Sequence, residues 1–214
     1  MTPHGTRAVI IGNGGSCDMM PPEFWDQDAL YIGTNRALCI KALQGVQLDA
    51  VFMRDCWSSL WGDMKVSRRY NWDVWQKYNA YKVGPANQRH TQCDEFVRWA
   101  DGWQYEEVRD HNNEAAVTKN PSVVIMAANV AWFWGVREFQ LMGVDYSGGM
   151  ALMTDGFNVS TGYDARYDKP VPCGVETAYR KMREAIEAGG GSIVNHSPGS
   201  KLEAVEKREW LALK

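Results

Sequence analysis

Short apolar runs that stop abruptly at polar, glycine-bearing turns set the rhythm of this chain. The first, Ala8-Val9-Ile10-Ile11, ends at Gly12. An unbroken β-branched run suits a strand buried on both faces, as in a parallel sheet. The same pattern predicts strands at 7–12, 30–33 and 50–53. Each ends in polar residues: Gly12 to Ser16 after the first, Thr34, Asn35 and Arg36 after the second, Arg54 and Asp55 after the third. Ligands of open parallel sheets bind beyond the carboxyl ends of the strands, so these tips are expected to converge on one crevice.

Between these strands, Pro21 and Pro22 mark a loop with a short helix around Phe24 and Trp25, and residues 36–43 fit a helix. The strongest helix follows Asn120, Pro121 and Ser122. Asn120 is a good cap, proline suits a first helical turn, and residues 123–132 are apolar nearly all round, which predicts a buried helix. Gly135 closes it, and residues 137–146 read as a strand ending in Asp145 and Tyr146. Tyr179, Met182 and Ile186 give 175–187 an amphipathic helical period, and 192–195 reads as the last strand. Beyond Leu202, mixed charged and apolar residues suggest a terminal helix or tail that packs on the domain or on a second subunit.

The middle, 56–119, has no clean strand period and carries Trp57, Trp61, Trp72, Trp75, Trp99 and Trp103. It reads as an irregular Trp-rich helical insertion or lid. Trp72, Trp75 and Tyr78 share one helical face, which favours packing; the other tryptophans pack likewise or form a platform for a sugar or base. Alternating strands and helices make the fold class α/β. The expectation is one Rossmann-like domain over 1–214, with a mostly parallel sheet and helices on both faces.

Composition narrows the classes. The 214 residues can bury a sizeable core, and a net charge of −3 without a basic block does not announce nucleic acid or an anionic membrane surface. The five cysteines, Cys17, Cys39, Cys56, Cys93 and Cys173, are scattered without a Cys-x-x-Cys pair. That argues against a disulfide framework and a zinc knuckle, and for a reducing cytoplasm. No apolar stretch reaches the length of a membrane span.

The candidate chemistry lies at the strand ends. Glycines at 12, 14 and 15 allow close approach of a ligand to the backbone. The turn lacks the third glycine of a dinucleotide fingerprint, however, and no P-loop lysine follows. The free N–H groups and positive end of the helix after Asn120 suit a phosphate, with Lys119 adding charge. Asp55, Asp145 and Asp168 are the candidate general bases, set against ordinary loop roles. Arg54, Lys119, Tyr163, Arg166, Tyr167 and Lys169 can neutralise a leaving group. Asp26-Gln27-Asp28 precedes a strand and so lies at the wrong end of the sheet for a metal-diphosphate site. His4, His90, His111 and His196 show no ligand spacing. No metal site is assigned, a metal requirement stays undecided, and His196 reads as a surface loop residue.

The order of these motifs resembles the bacterial sialyltransferase family and its relatives in the motility accessory factor group. The residues that carry the likeness are Gly12-Asn13-Gly14-Gly15-Ser16, then Gly33-Thr34-Asn35-Arg36, the 50–53 strand, the start at Ser122, and Gly143-Val144-Asp145-Tyr146. The resemblance implies a Rossmann-like transferase using a nucleotide-activated sugar, CMP- or UDP-linked, and a hydroxyl acceptor that is a glycan, lipid, protein or modified nucleic-acid base. It implies that the glycine turn and Asn13 lie near the nucleotide, Asn35 and Arg36 near the ribose, and Asn120 and Ser122 near a donor phosphate. Gly143, Asp145 and Tyr146 would border the base or ribose, and Arg54 the donor sugar. Two departures stand out. Gly15 replaces a usual proline, and residues 162–170 lack the histidine base of that family, which argues against sialyl transfer itself. The expected function is a cytoplasmic, glycosyltransferase-like enzyme of phage or bacterial type, monomeric or a homo-oligomer. The alternatives are a pterin diphosphokinase-like enzyme using ATP and a non-catalytic nucleotide- or glycan-binding accessory protein.

Overall fold

The computed structural model describes residues 3–53, 77–85, 93–100, 115–118, 122–147, 149, 151–154 and 170–210. Among these, eight strands form one sheet: β1 (Arg7–Ile11), β2 (Leu30–Thr34), β3 (Ala50–Phe52), β4 (Tyr81–Pro85), β5 (Glu95–Ala100), β6 (Ala115–Thr118), β7 (Glu138–Met142) and β8 (Ser192–Asn195). Their order across the sheet is β6-β5-β4-β3-β2-β1-β7-β8, and every neighbouring pair is parallel. The chain therefore builds outward from β1 in one direction through β6, then returns to place β7 and β8 on its other side. The strand order reverses at β1/β7, and at such a switch point a crevice opens above the carboxyl ends.

The apolar runs are continuous because both faces of the sheet are covered. Ala8 and Ile10 enter one buried layer with Ile32, Phe52, Phe139 and Leu141, while Val9 and Ile11 enter the other with Tyr31, Val51 and Met142. Successive side chains point to opposite faces, so an Ala-Val-Ile-Ile run fills both layers at once. The first layer is closed by two helices, α1 (Val123–Phe133) and α2 (Cys173–Ala188). Residues 123–131 of α1 are all buried, whereas α2 buries only Ala178, Tyr179, Met182 and Ile186. Each helix thus matches its pattern, apolar all round or on one stripe.

The second layer differs from expectation. Among the described residues the α-helices lie on one face, and the other is closed by short 3-10 turns at Gly15–Met19, Pro22–Trp25, Ala37–Cys39 and Lys41–Leu43. The helix expected over 36–43 is broken because Ile40 adopts an extended conformation (ψ 125°) and bridges to Met153. Lys41 N–H donates to the Leu152 carbonyl and Thr154 N–H to that of Cys39, both at 2.7 Å. Tertiary pairing outweighs the weak local preference.

Three further corrections follow. Ser122, not Asn120, caps α1: its backbone is extended and its hydroxyl accepts from Val124 N–H. Asn120 itself lies outside the described residues. The middle region supplies β4, β5 and β6, which extend the same sheet where a helical insertion was expected. Trp57, Trp61, Trp72, Trp75 and Trp103 lie outside the described residues. After β8 no terminal helix forms within residues 201–210. Lys207 instead bridges to Asn195 in parallel, with Asn195 N–H donating to the Glu206 carbonyl (2.8 Å) and Arg208 N–H to that of Asn195 (3.0 Å). This segment covers the outer edge of β8, which would otherwise present unpaired backbone groups. Among the described residues no helix is long and apolar enough to cross a membrane.

His196 belongs to this edge and is buried, not a surface loop residue. Its Nδ1 lies 2.7 Å from the Arg208 carbonyl and its ring meets Phe24 edge-on at 5.8 Å; Trp210 packs against the same Phe24 at 5.5 Å. Burial, first, and the nearby Arg208 charge lower its pKa, while the bond to the Arg208 carbonyl opposes them. A histidine whose pKa is depressed by folding contributes stability that is complete above its unfolded value, about 6.5, and is lost as pH falls through the folded value. The thermal stability of the wild type is therefore expected to fall as pH drops below about 6.5, and His196→Gln to flatten that part of the profile. Parallel profiles for the two proteins would remove His196 from this role.

Candidate functional site

The turn after β1 is built against the exit of β7. Gly12 N–H donates to the Met142 carbonyl (2.7 Å) and Gly14 N–H to that of Gly143 (2.9 Å). A Cβ at Gly12 would lie 2.2 Å from the Gly143 oxygen, and one at Gly14 would lie 2.4 Å from Asp145 Oδ2. Gly143 holds a left-handed φ of +70°. These glycines answer to a close backbone-to-backbone approach within the protein.

Asp145 completes the junction. Its Oδ2 accepts from Ser16 N–H at 2.9 Å, and its Oδ1 accepts a short bond from the Ser16 hydroxyl. Burial, the largest influence, raises its pKa above the usual carboxylate range, and the bonds from Ser16 and Ser197 pull it partway back. The Asp145 carboxylate is thus a bracket for the glycine turn. Across the turn lies residue 149 and the segment 151–154: Gly15 N–H reaches the Gly149 carbonyl (3.3 Å), Ala151 N–H that of Asn13 (3.0 Å), and Leu152 N–H the Asp18 carboxylate (2.7 Å). The amides of residues 12, 14, 15 and 16 all donate within the protein, so they do not form an open anion nest.

Asn13 ties this turn to the exit of β2. Its Nδ2 donates to the Thr34 carbonyl (2.8 Å) and its Oδ1 accepts from Arg36 N–H (2.9 Å), which places Asn35 at the rim. Asn35 has φ +51°, a left-handed conformation asparagine tolerates better than most residues. Its Oδ1 is buried without a protein partner, an acceptor suited to a donor group of a ligand. Arg36 is 3% exposed at the same strand exit.

On the helix side of β7, Ser122 Oγ lies 2.8 Å from Tyr179 Oη, and Tyr146 Oη donates to Tyr179 Oη at 3.4 Å. The structure thus links Arg36, Asn13, Gly12, Gly14, Gly143, Asp145, Tyr146 and Ser122 along one rim above β2, β1 and β7. Gly15 and Ser16 belong to it through Gly149 and Asp145. Arg54, Asp55, Asn120 and Asp168 lie outside the described residues, as do Lys119, Tyr163, Arg166, Tyr167 and Lys169. Among the described residues no three His, Cys, Asp or Glu side chains gather as a metal site. Sequence reasoning missed Ser197, Tyr179 as a polar contact, and the 151–154 crossing. Tyr179 had an apolar-face period as its only signal, and the crossing had none.

No protein-family model matches the sequence, and no curated protein resembles it in sequence. Solved structures do share its fold. The Maf glycosyltransferase from Magnetospirillum magneticum AMB-1 superposes with a TM-score of 0.61 at 18% identity, covering 100% of this chain and 35% of its own. The chain therefore spans about a third of that protein's length. The sialyltransferase CST-II, solved with a trisaccharide acceptor and CMP, gives 0.52 at 13% identity over 94% of this chain and 85% of its own. CstII from Campylobacter jejuni with cytidine-5'-monophosphate gives 0.51 at 13% identity over 98% and 90%. The chain has a fold of the sialyltransferase and glycosyltransferase type.

Because burial opposes the charge of Asp145 while its bonds to Ser16 hold the turn, Asp145→Ala is expected to destabilise the fold by about 2–4 kcal/mol. Asp145→Asn should cost much less, since a carboxamide can accept from Ser16 N–H and donate to the Ser16 hydroxyl. Denaturant unfolding of both variants tests this. Equal losses would mean that the charge itself, not the bonding geometry, holds the junction.

Proposed function

We propose that the chain binds a nucleotide-activated sugar at the β1/β7 switch point and transfers the sugar to a hydroxyl acceptor. The observation that carries this reading is the rim itself. The parallel sheet reverses its order between β1 and β7, Asn13 ties the turn after β1 to the exit of β2, and the buried Asn35 Oδ1 beside it suits a donor such as a ribose hydroxyl. The CMP in the CST-II structures supports a CMP-linked donor, with a UDP-linked donor as the alternative.

In this reading Asn35 and Arg36 bind the ribose, Asn120 and Ser122 meet the donor phosphate at the positive end of α1, and Arg54 contacts the donor sugar. Gly143 and Tyr146 border the base. Transfer needs the leaving phosphate stabilised and the acceptor hydroxyl deprotonated as it attacks. Asp145 is engaged by Ser16, so it serves as the bracket of the site, and the base falls to Asp55 or Asp168. The chain acts in the cytoplasm as a single domain, alone or as a homo-oligomer. The acceptor is a glycan, lipid, protein or modified nucleic-acid base.

Calorimetry with CMP and UDP, followed by incubation with their sugar conjugates, tests the reading. Release of CMP or UDP supports transfer; AMP formed from ATP would point to the pterin diphosphokinase-like reading, and binding without turnover to an accessory protein. Asn35→Gly removes the amide without straining the left-handed backbone, and with Ser122→Ala it is expected to weaken nucleotide affinity about tenfold while the fold persists. Unchanged affinity in both variants would remove the site.

A further inference from the structure

Two residues other than glycine hold a left-handed backbone among those described, and one of them, Asn35 (φ +51°), also buries a side-chain oxygen, Oδ1, that has no hydrogen-bond partner. Each feature is unfavourable by itself, and both fall on one residue at the exit of β2. Such strain persists only where the surroundings over-determine it, and it gathers at sites that grip ligands.

Asn13 supplies the determination. Its carboxamide donates from Nδ2 to the Thr34 carbonyl (2.8 Å) and accepts at Oδ1 from Arg36 N–H (2.9 Å). Those two groups belong to the peptide planes on either side of the Asn35 Cα, so one planar side chain grips both planes and sets φ and ψ of the residue between them. The Asn35 N–H donates to the Phe52 carbonyl (2.8 Å), which anchors the first of the planes to β3. The task needs a donor and an acceptor on one short, rigid group. An ionised aspartate would accept from Arg36 N–H and repel the Thr34 carbonyl, and alanine would meet neither.

The strands themselves do not depend on this contact. β1 and β2 already pair in parallel, with Ile11 opposite Gly33, and Thr34 Oγ1 donates to the Ile11 carbonyl (2.7 Å). What Asn13 adds is the conformation of Asn35.

We infer that Asn13 is a positioning residue, which holds Asn35 left-handed and so presents the Asn35 carboxamide oxygen to a hydrogen-bond donor of the ligand. The resemblance puts Asn13 itself beside the nucleotide; here its effect on the ligand passes through Asn35. This rests on the proposed function, in which the donor is a ribose hydroxyl.

The test is a double-mutant cycle with Asn13→Ala and Asn35→Gly, reading calorimetric affinity for CMP and UDP. Each single variant is expected to lose about tenfold and the double variant no more than either, because Asn13 acts through Asn35. Losses that multiply in the double variant mean that Asn13 meets the ligand directly, and they overturn the inference. So does an Asn13→Ala protein that binds as the wild type does. NMR supplies a readout that needs no ligand: the three-bond HN–Hα coupling and Cα shift of Asn35, which report φ, should leave the left-handed range in Asn13→Ala, while Ile32 on the same strand keeps its shifts. An Asn35 that stays left-handed in that variant overturns the inference whatever the nucleotides do. A wild type that binds neither CMP nor UDP overturns the proposed function, and the NMR result still decides whether Asn13 sets Asn35. Should Asn13→Ala fail to fold, Asn13→Ser takes its place in both measurements, since one short hydroxyl cannot bridge the two planes and brings no charge. The same non-additive loss and the same change at Asn35 support the inference; multiplied losses, or an unaltered Asn35, overturn it.

Discussion

The contact between the turn after β1 and the exit of β7 is the constraint on which the rest of the rim depends. Two glycines bring one backbone to within hydrogen-bonding distance of another that itself turns through a left-handed glycine. Any side chain at Gly12 or Gly14 would meet the Gly143 carbonyl or the Asp145 carboxylate. The junction holds together the two strands between which the sheet reverses, and the polar residues on either side inherit their positions from it. Asn13 carries that order to the exit of β2, and Tyr146 carries it toward α1.

Asp145 illustrates how a buried carboxylate can serve structure at a rim where catalysis would also be sought. Its desolvation raises its pKa, yet two bonds from Ser16 and one from Ser197 keep it in place. The cost of burying the charge and the gain from the bonds oppose one another, as expected for a buried ionisable group supplied with several donors. A general base must reach its substrate, and a carboxylate with both oxygens engaged by the neighbouring turn is poorly placed to do so. In the proposed mechanism the base therefore comes from another aspartate.

The two faces of the sheet are closed by different means. Helices α1 and α2 cover one face and carry Ser122 and Tyr179; 3-10 turns and crossing segments cover the other, and the amides of the glycine turn donate to the exit of β7, to Asp145 and to Gly149. The consequence is a division of labour at the rim. On the turn side, backbone groups bond mainly to protein, and a side-chain acceptor, Asn35 Oδ1, is left for a ligand. On the helix side, the hydroxyls of Ser122, Tyr179 and Tyr146 bond to one another. In the proposed function, Asn35 serves the ribose hydroxyls and the head of α1 the phosphate of one nucleotide.

Local pattern was enough to locate β1, β2, β3, β7, β8 and both helices, because a strand buried on two faces and a helix buried on one or all sides leave distinct apolar periods. It was enough, too, to place Gly12, Asn13, Asn35 and Asp145 at strand ends and Ser122 at the start of a helix. It did not reveal β4 and β5, whose residues mix charges and aromatics without a period, the four-residue β6, or the breaking of 36–43 by the Ile40 bridge to Met153. Nor could it separate a glycine that admits a ligand from one that admits a neighbouring strand, or a carboxylate poised for chemistry from one bonded to Ser16. Periodicity is a property of neighbours along the chain, so the sequence by itself determined the elements that carry a clean apolar period and their polar tips. Which tip meets which group is a property of residues more than a hundred positions apart, such as Ser16 and Asp145, and only the tertiary packing of β1 against β7 decided it.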